Sequence, residues 1–236
     1  VESGVIVYQV RLRVLAKGGT LRMEGDRIRV EGADSAVLLL AAGTNFKNFQ
    51  DVTGNQEPLI QAQLGKSVKK SYVKVRAEHI QDYQRLFNRV SLTLPKSATS
   101  DLPTDQRLEA MKKSQDDPAL VALLFHFGRY LVISSSRSGS QPPNLQGLWN
   151  GDRNPAWDSK FTTNINLQMN YYPVDVANLG ECIEPLLSFC EDLTVTGGWA
   201  AKHCFGARGW TLSFNTDLWR AVPPNGGVIS FWSTWP

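Results

Sequence analysis

Two asparagines one residue apart, Asn164 and Asn166, follow Thr162-Thr163 and open a stretch of helical character. An amide is no general base near neutral pH, but its carbonyl oxygen accepts a hydrogen bond from water and can aim that water's lone pair at an electrophile. Two acceptors fix the water better than one. Side chains two apart point away from each other inside a helix, so a shared water requires the segment to be extended or just entering one. Read in isolation, Asn-x-Asn fits an Asx turn or a helix N-cap equally well.

All seven tryptophans (Trp149, Trp157, Trp199, Trp210, Trp219, Trp232 and Trp235) lie beyond residue 148. Most fall in or beside two long stretches rich in Gly, Pro and Asn, 135–163 and 205–228, and long ordered loops between helices tend to carry function. Indole planes stack on the C–H faces of sugar rings, while amides and carboxylates such as Asn215 and Asp217 meet the hydroxyls. The core of a helical domain would use tryptophans as well, and composition alone leaves both readings open.

The bulk numbers exclude several classes. With 42% hydrophobic and 20% charged residues the 236-residue chain has ordinary globular composition. A net charge of +3, from 25 basic and 22 acidic side chains, gives no strong field for nucleic acid or anionic lipid. The basic stretch Lys66–Arg76 alternates with Val68, Val73 and Val75 and reads as a solvated face. Cys182, Cys190 and Cys204 lack C-x-x-C spacing, and His79, His126 and His203 stand apart, so neither metal nor cofactor is expected. Continuous apolar runs such as Ala36–Ala42 and Leu120–Phe125 fall short of the ~18–20 residues that span a bilayer, so no membrane partner is expected. The chain reads as a strand from its first residues, without an initiator Met or a signal pattern, and the natural N-terminus is expected upstream.

These residues need elements to position them. Residues 4–43 alternate in polarity and are punctuated by Gly18-Gly19, Gly25-Asp26 and Gly32, predicting four short antiparallel strands. Residues 56–70 and 75–90 form a helical connector, and Val90–Leu94 is expected to return to a sheet before Pro95. Thr104 is a candidate N-cap for Asp105–Lys113, and Asp116/Asp117 with Pro118 open a helix over 119–134. Two further helices are expected over 164–179 and 184–204, interrupted by Pro173 and Pro185.

The stretch Asn144-Leu-Gln-Gly-Leu-Trp149-Asn150, followed by Pro155-Ala-Trp157-Asp158-Ser-Lys-Phe-Thr-Thr-Asn164-Ile-Asn166-Leu-Gln-Met-Asn170, resembles the signature region of glycoside hydrolase family 95. The resemblance runs in order from about residue 85 to 222, through Phe125–Arg137, Val176–Cys182, Gly206–Trp210 and Asn215–Arg220. It implies an α+β, multi-domain arrangement: the end of a β-sandwich (1–55), a helical linker with a returning strand (56–102), and the first helices of an (α/α)6 barrel (103–236). It implies hydrolysis of terminal α-L-fucose, α-1,2-linked in the usual case, with inversion, and a fucosylated glycan as substrate. The full-length enzyme would be extracellular or periplasmic. By position Asn164 and Asn166 would hold the nucleophilic water, with Trp149, Trp157, Asn215 and Asp217 binding substrate.

Inversion requires two carboxyl groups ~6.5–9.5 Å apart. Asp158, Asp175, Glu181 and Asp217 are the nearest acids, and none occupies the family's acid or base position. Those positions are expected beyond Pro236, so the stretch 1–236 alone is expected to be inactive. Ser213-Phe214 stands where the family commonly has His-His, and Val228–Pro236 departs from the expected helix. Other readings are an α-L-galactosidase, a carbohydrate-binding fragment without catalysis, and a purely structural α+β domain.

Overall fold

The computed structural model describes residues 4–222, which form two compact units divided between Gln81 and Asp82. In the first, β1 (Tyr8–Lys17) pairs antiparallel with β4 (Ser35–Thr44) from Tyr8↔Thr44 to Lys17↔Ser35, and the hairpin of β2 (Thr20–Glu24) and β3 (Arg27–Glu31) joins them. Arg22 faces Arg29 directly across that hairpin. Glu31 and Glu24 beside them offset the repulsion, with Arg29 2.6 Å from Glu31 and 3.2 Å from Glu24. Gly19 turns with φ +67°, and a side chain there would meet the Glu31 carbonyl oxygen at 2.2 Å. Helix α1 (Gln56–Val68), capped by the Asn55 side chain, buries Ile60 and Leu64 against Ala41, while Glu57 pairs with Arg11 at 2.6 Å.

Helix α2 (Tyr72–Phe87) carries the division between the units. The second unit continues with α3 (Thr104–Ser114), α4 (Pro118–Ser135), the short β5 (Phe161–Thr162), α5 (Asn166–Tyr171), α6 (Glu184–Phe205) and β6 (Asn215–Thr216). Its core gathers Ile133 of α4, Phe161, Leu167, Tyr171, Val174, Leu179, Phe189, Leu193 and Leu212. The architecture is thus a mixture of helices and small antiparallel sheets.

Several local expectations change. Val90–Leu94 forms no strand; its main chain is tied to α4 instead, by the His126 ring at Leu92 and the Arg129 guanidinium at Val90. Thr104 is the first residue of α3, with Pro103 as its cap. The helix expected over 164–179 is only six residues long, because Pro173 brings in a series of turns. Pro185 sits in the first turn of α6 and interrupts nothing.

Helix α4 is the frame of this unit. Asp117 caps it through the Leu120 N–H and accepts Nε and Nη2 of the buried Arg107, both at 2.9 Å. At the centre of α4, Arg129 is 2% exposed and donates to the carbonyls of Leu86, Phe87, Val90 and Ala177. By length and composition α4 is apolar enough to cross a membrane, a test that core helices of soluble proteins also pass. Helix α6 receives the 205–222 loop at Gly197, whose carbonyl accepts the Thr211 N–H. A Cβ at Gly197 would lie 2.4 Å from the Thr211 carbonyl oxygen.

Two outcomes follow. The Arg107 guanidinium holds the Asp117 carboxyl well below its usual range. Its stabilising contribution is therefore complete above the unfolded-state pKa of ~4 and is lost as pH falls through the folded-state value. Thermal melts from pH 7 to 2 should show a steeper acid decline for the natural chain than for Asp117→Asn. Gly197→Ala should push the 205–222 loop off α6 at roughly 1–3 kcal/mol, read as a lower denaturation midpoint.

Candidate functional site

The turn that carries the two asparagines is built by short main-chain pairings. β5 lies against β6, with Phe161 opposite Thr216 and Thr162 opposite Asn215. Phe161 packs on Phe189 of α6 with ring centroids 4.8 Å apart. Just beyond the pair, the buried Thr163 donates its N–H to the Phe214 carbonyl at 2.7 Å and its Oγ1–H to the Ser213 carbonyl at 2.6 Å. This latch sets the 161–166 segment beside the 213–217 segment.

Asn164 follows in a turn, Ile165 has φ −161° and ψ −39°, and Asn166 is the first residue of α5. The chain is therefore entering a helix at this point, the condition under which the two amides can serve one water. Both asparagines are exposed, and among the described residues neither side chain has a hydrogen-bond partner. Neither caps α5, whose N-cap Ile165 makes no side-chain bond.

Asn215 and Asp217 line one hollow of about 300 Å³ with Lys160 and Thr216. Asp217 Oδ1 accepts the N–H groups of Trp219 and Ala221 at 2.9 and 3.1 Å, so this carboxylate also shapes its own turn. Arg220, in left-handed conformation, fixes the next residues: it reaches Asp192 of α6 and Gln141, and its guanidinium lies 4.3 Å from the Phe189 ring centroid. Burial pushes the Arg220 guanidinium below its usual value, and Asp192 opposes that shift. A second hollow of about 500 Å³ adjoins the first through Lys160 and Asp217, and Asp158 and Arg137 also line it.

A third hollow, of about 420 Å³, shares Ser135 and Gly147 with the second and is lined by Trp149, Gln146, Met169 and Asn170. Asn170 stands four residues after Asn166 in α5, on the same helix face. Trp149 is half exposed and leans toward Tyr130 with centroids 6.3 Å apart. Its six-membered ring lies over Gly147, where a Cβ would come within 2.7 Å of it.

Trp157, 78% exposed, lines none of these three hollows. It belongs to a run of three non-glycine residues at positive φ, Trp157, Asp158 and Ser159 at 58°, 59° and 51°. Such a run stores backbone strain, a feature that clusters at ligand clamps and active sites. Asp158 pairs with Lys160 at 2.9 Å. Glu181 is bound by Arg89 and Arg85, and the hydrogen bonds from Arg89 hold its carboxyl down to about 2. Asp175 is exposed.

Among the described residues no group of three or more His, Cys, Asp or Glu is placed to hold a metal. Trp232, Trp235 and the 228–236 segment lie outside the described residues. Sequence reasoning missed Gln146, Lys160 and Arg220. The first two sit inside the quoted motif, but only their proximity to the hollows distinguishes them from its other polar residues.

A sequence model of the glycosyl hydrolase family 95 catalytic domain matches residues 71–236. The chain is 41% identical to Alpha-L-fucosidase 2 of Arabidopsis thaliana over 96% of its own length and 28% of that protein's. It is 36% identical, over 87% of its length, to Probable alpha-fucosidase A of Aspergillus niger, and 33% identical over 78% to the protein of that name in Aspergillus oryzae. The chain spans little more than a quarter of the length of these curated relatives. With the catalytic-domain model matching well over half of its residues, the chain belongs to glycosyl hydrolase family 95.

Proposed function

We propose that the whole protein to which this chain belongs is a glycosidase that removes terminal α-L-fucose from glycans with inversion, and that Asn164 and Asn166 hold the attacking water. The names of its relatives supply the substrate class. One observation carries the assignment of the two residues: both amides are exposed and unpartnered among the described residues, on a turn latched by the buried Thr163. An exposed amide that stabilises no turn or helix end is free to orient a solvent molecule.

In the reaction, the water oxygen forms its bond to the anomeric carbon as the bond to the leaving oxygen breaks on the opposite face. A carboxylic acid gives its proton to the leaving oxygen, and a carboxylate takes one from the water. On this reading both carboxyl groups belong to the remainder of the protein, and the Asn164 and Asn166 carbonyl oxygens supply alignment alone. Such alignment is worth on the order of 100-fold in rate. The proposed setting is a β-sandwich ending near residue 55, a helical linker over 56–102, and an (α/α)6 barrel beginning near residue 103. Trp157, Asn215 and Asp217 would contact the sugar.

The full-length protein should release L-fucose from 2′-fucosyllactose, and residues 1–236 alone should release none. Asn164→Ala and Asn166→Ala should each lower kcat by roughly 100-fold while KM moves less than about threefold and circular dichroism stays unchanged. Retention of full kcat in both variants would remove the two amides from the mechanism. Faster release of L-galactose than of L-fucose from matched glycosides would reassign the sugar, since Ser213-Phe214 line the hollow that holds Asn215.

A further inference from the structure

The two amides assigned to the water stand on different elements, Asn164 in the turn after β5 and Asn166 at the start of α5. Their joint geometry therefore depends on what ties the helix to the turn. Gln168, in the first turn of α5, reaches back past both asparagines and donates its Nε2–H to the Thr163 carbonyl at 2.6 Å. That carbonyl shares one planar peptide unit with the Asn164 nitrogen, so the bond fixes the plane from which Asn164 departs. Thr163 is held from the other side by its N–H on Phe214 and its hydroxyl on Ser213. Three bonds thus converge on the residue before Asn164, and one of them comes from the helix that carries Asn166.

The other end of this amide supplies a second observation. Gln168 Oε1 is buried with no hydrogen-bond partner among the described residues. Turning the amide over would bring no gain, because it would set that oxygen against the Thr163 carbonyl oxygen. Methionine, of similar length, would remove the unpaired oxygen while withdrawing one donor from the Thr163 carbonyl, two changes that offset one another in stability. What the amide supplies and methionine cannot is the N–H that closes the 163–168 turn. We infer that Gln168 is a positioning residue: by tying α5 to the peptide unit ahead of Asn164, it keeps the Asn164 and Asn166 carbonyl oxygens on one water. This rests on the reading of the two amides given above, and in it Gln168 itself touches neither water nor sugar. Alignment of this kind is sensitive to displacements of about 1 Å.

The test uses the full-length protein with 2′-fucosyllactose. Gln168→Met should lower kcat about tenfold or more while KM stays within about twofold, and its melting midpoint should move less than about 3 °C. In the Asn164→Ala background the same substitution should lower kcat less than about twofold, since a single amide leaves no pair to align. A residue that merely supports the fold would instead lose stability and cost the same factor in both backgrounds. Full kcat in Gln168→Met, an equal loss in the two backgrounds, or a variant that does not fold would each overturn the inference. The reading on which it rests fails separately. If Asn164→Ala and Asn166→Ala keep full kcat, the amides leave the mechanism whatever Gln168 does; slow asparagine variants beside a fast Gln168→Met remove Gln168 alone.

Discussion

Four main-chain carbonyls, those of Leu86, Phe87, Val90 and Ala177, converge on the buried guanidinium of Arg129, which has no carboxylate beside it among the described residues. Burying that charge costs several kcal/mol, and only a full set of acceptors in good geometry offsets it. The acceptors come from one stretch at and just after the end of α2 and from the turn before α6, so a single side chain on α4 fixes two stretches distant from it in sequence. The Phe87 ring lies 5.3 Å from the same group, and burial lowers the guanidinium's pKa without discharging it. Beyond Arg129, the same helix ends at Ser136, whose hydroxyl meets both the Tyr171 hydroxyl and the Cys182 carbonyl at 2.7 Å. Burial pushes the Tyr171 phenol up to about 12. Helices α4 and α5 and the turns before α6 thus share one polar spine.

The elements with strong local signals were legible in the sequence. Alternation and paired glycines gave the four strands, and Asp117-Pro118 marked the start of α4. What local pattern could not supply was the partner of an extended segment. Val90–Leu94 has the alternation of a strand, but its hydrogen bonds go to His126 and Arg129, side chains more than thirty residues away. The two-residue strands β5 and β6 were invisible for the same reason, since their pairing links residues over fifty positions apart. At the site, Asn164 and Asn166 stand out by spacing and Trp149 by type. Gln168 carries no signal until the geometry shows its amide on the Thr163 carbonyl.

The site follows a division of labour that the bonding makes explicit. Polar groups close to the turn are committed to holding it: Thr163 through two bonds, Asp217 through two backbone amides, Arg220 through Asp192 and Gln141. The amides of Asn164 and Asn166 are left uncommitted. Rigid support beneath and free acceptors above is the arrangement that preorganised sites require, because the supporting shell loses its freedom on folding and not on binding.

The Thr163 latch has one more consequence. Both of its bonds end on main-chain carbonyls, at Ser213 and Phe214, so they are indifferent to which side chains those positions carry. Side chains at positions 213 and 214 can be exchanged while the turn opposite them keeps its geometry. The lining of the hollow and the geometry of the asparagine turn are then separable traits in this fold, and a pair as unlike as serine and phenylalanine can occupy the wall without disturbing the turn across from it.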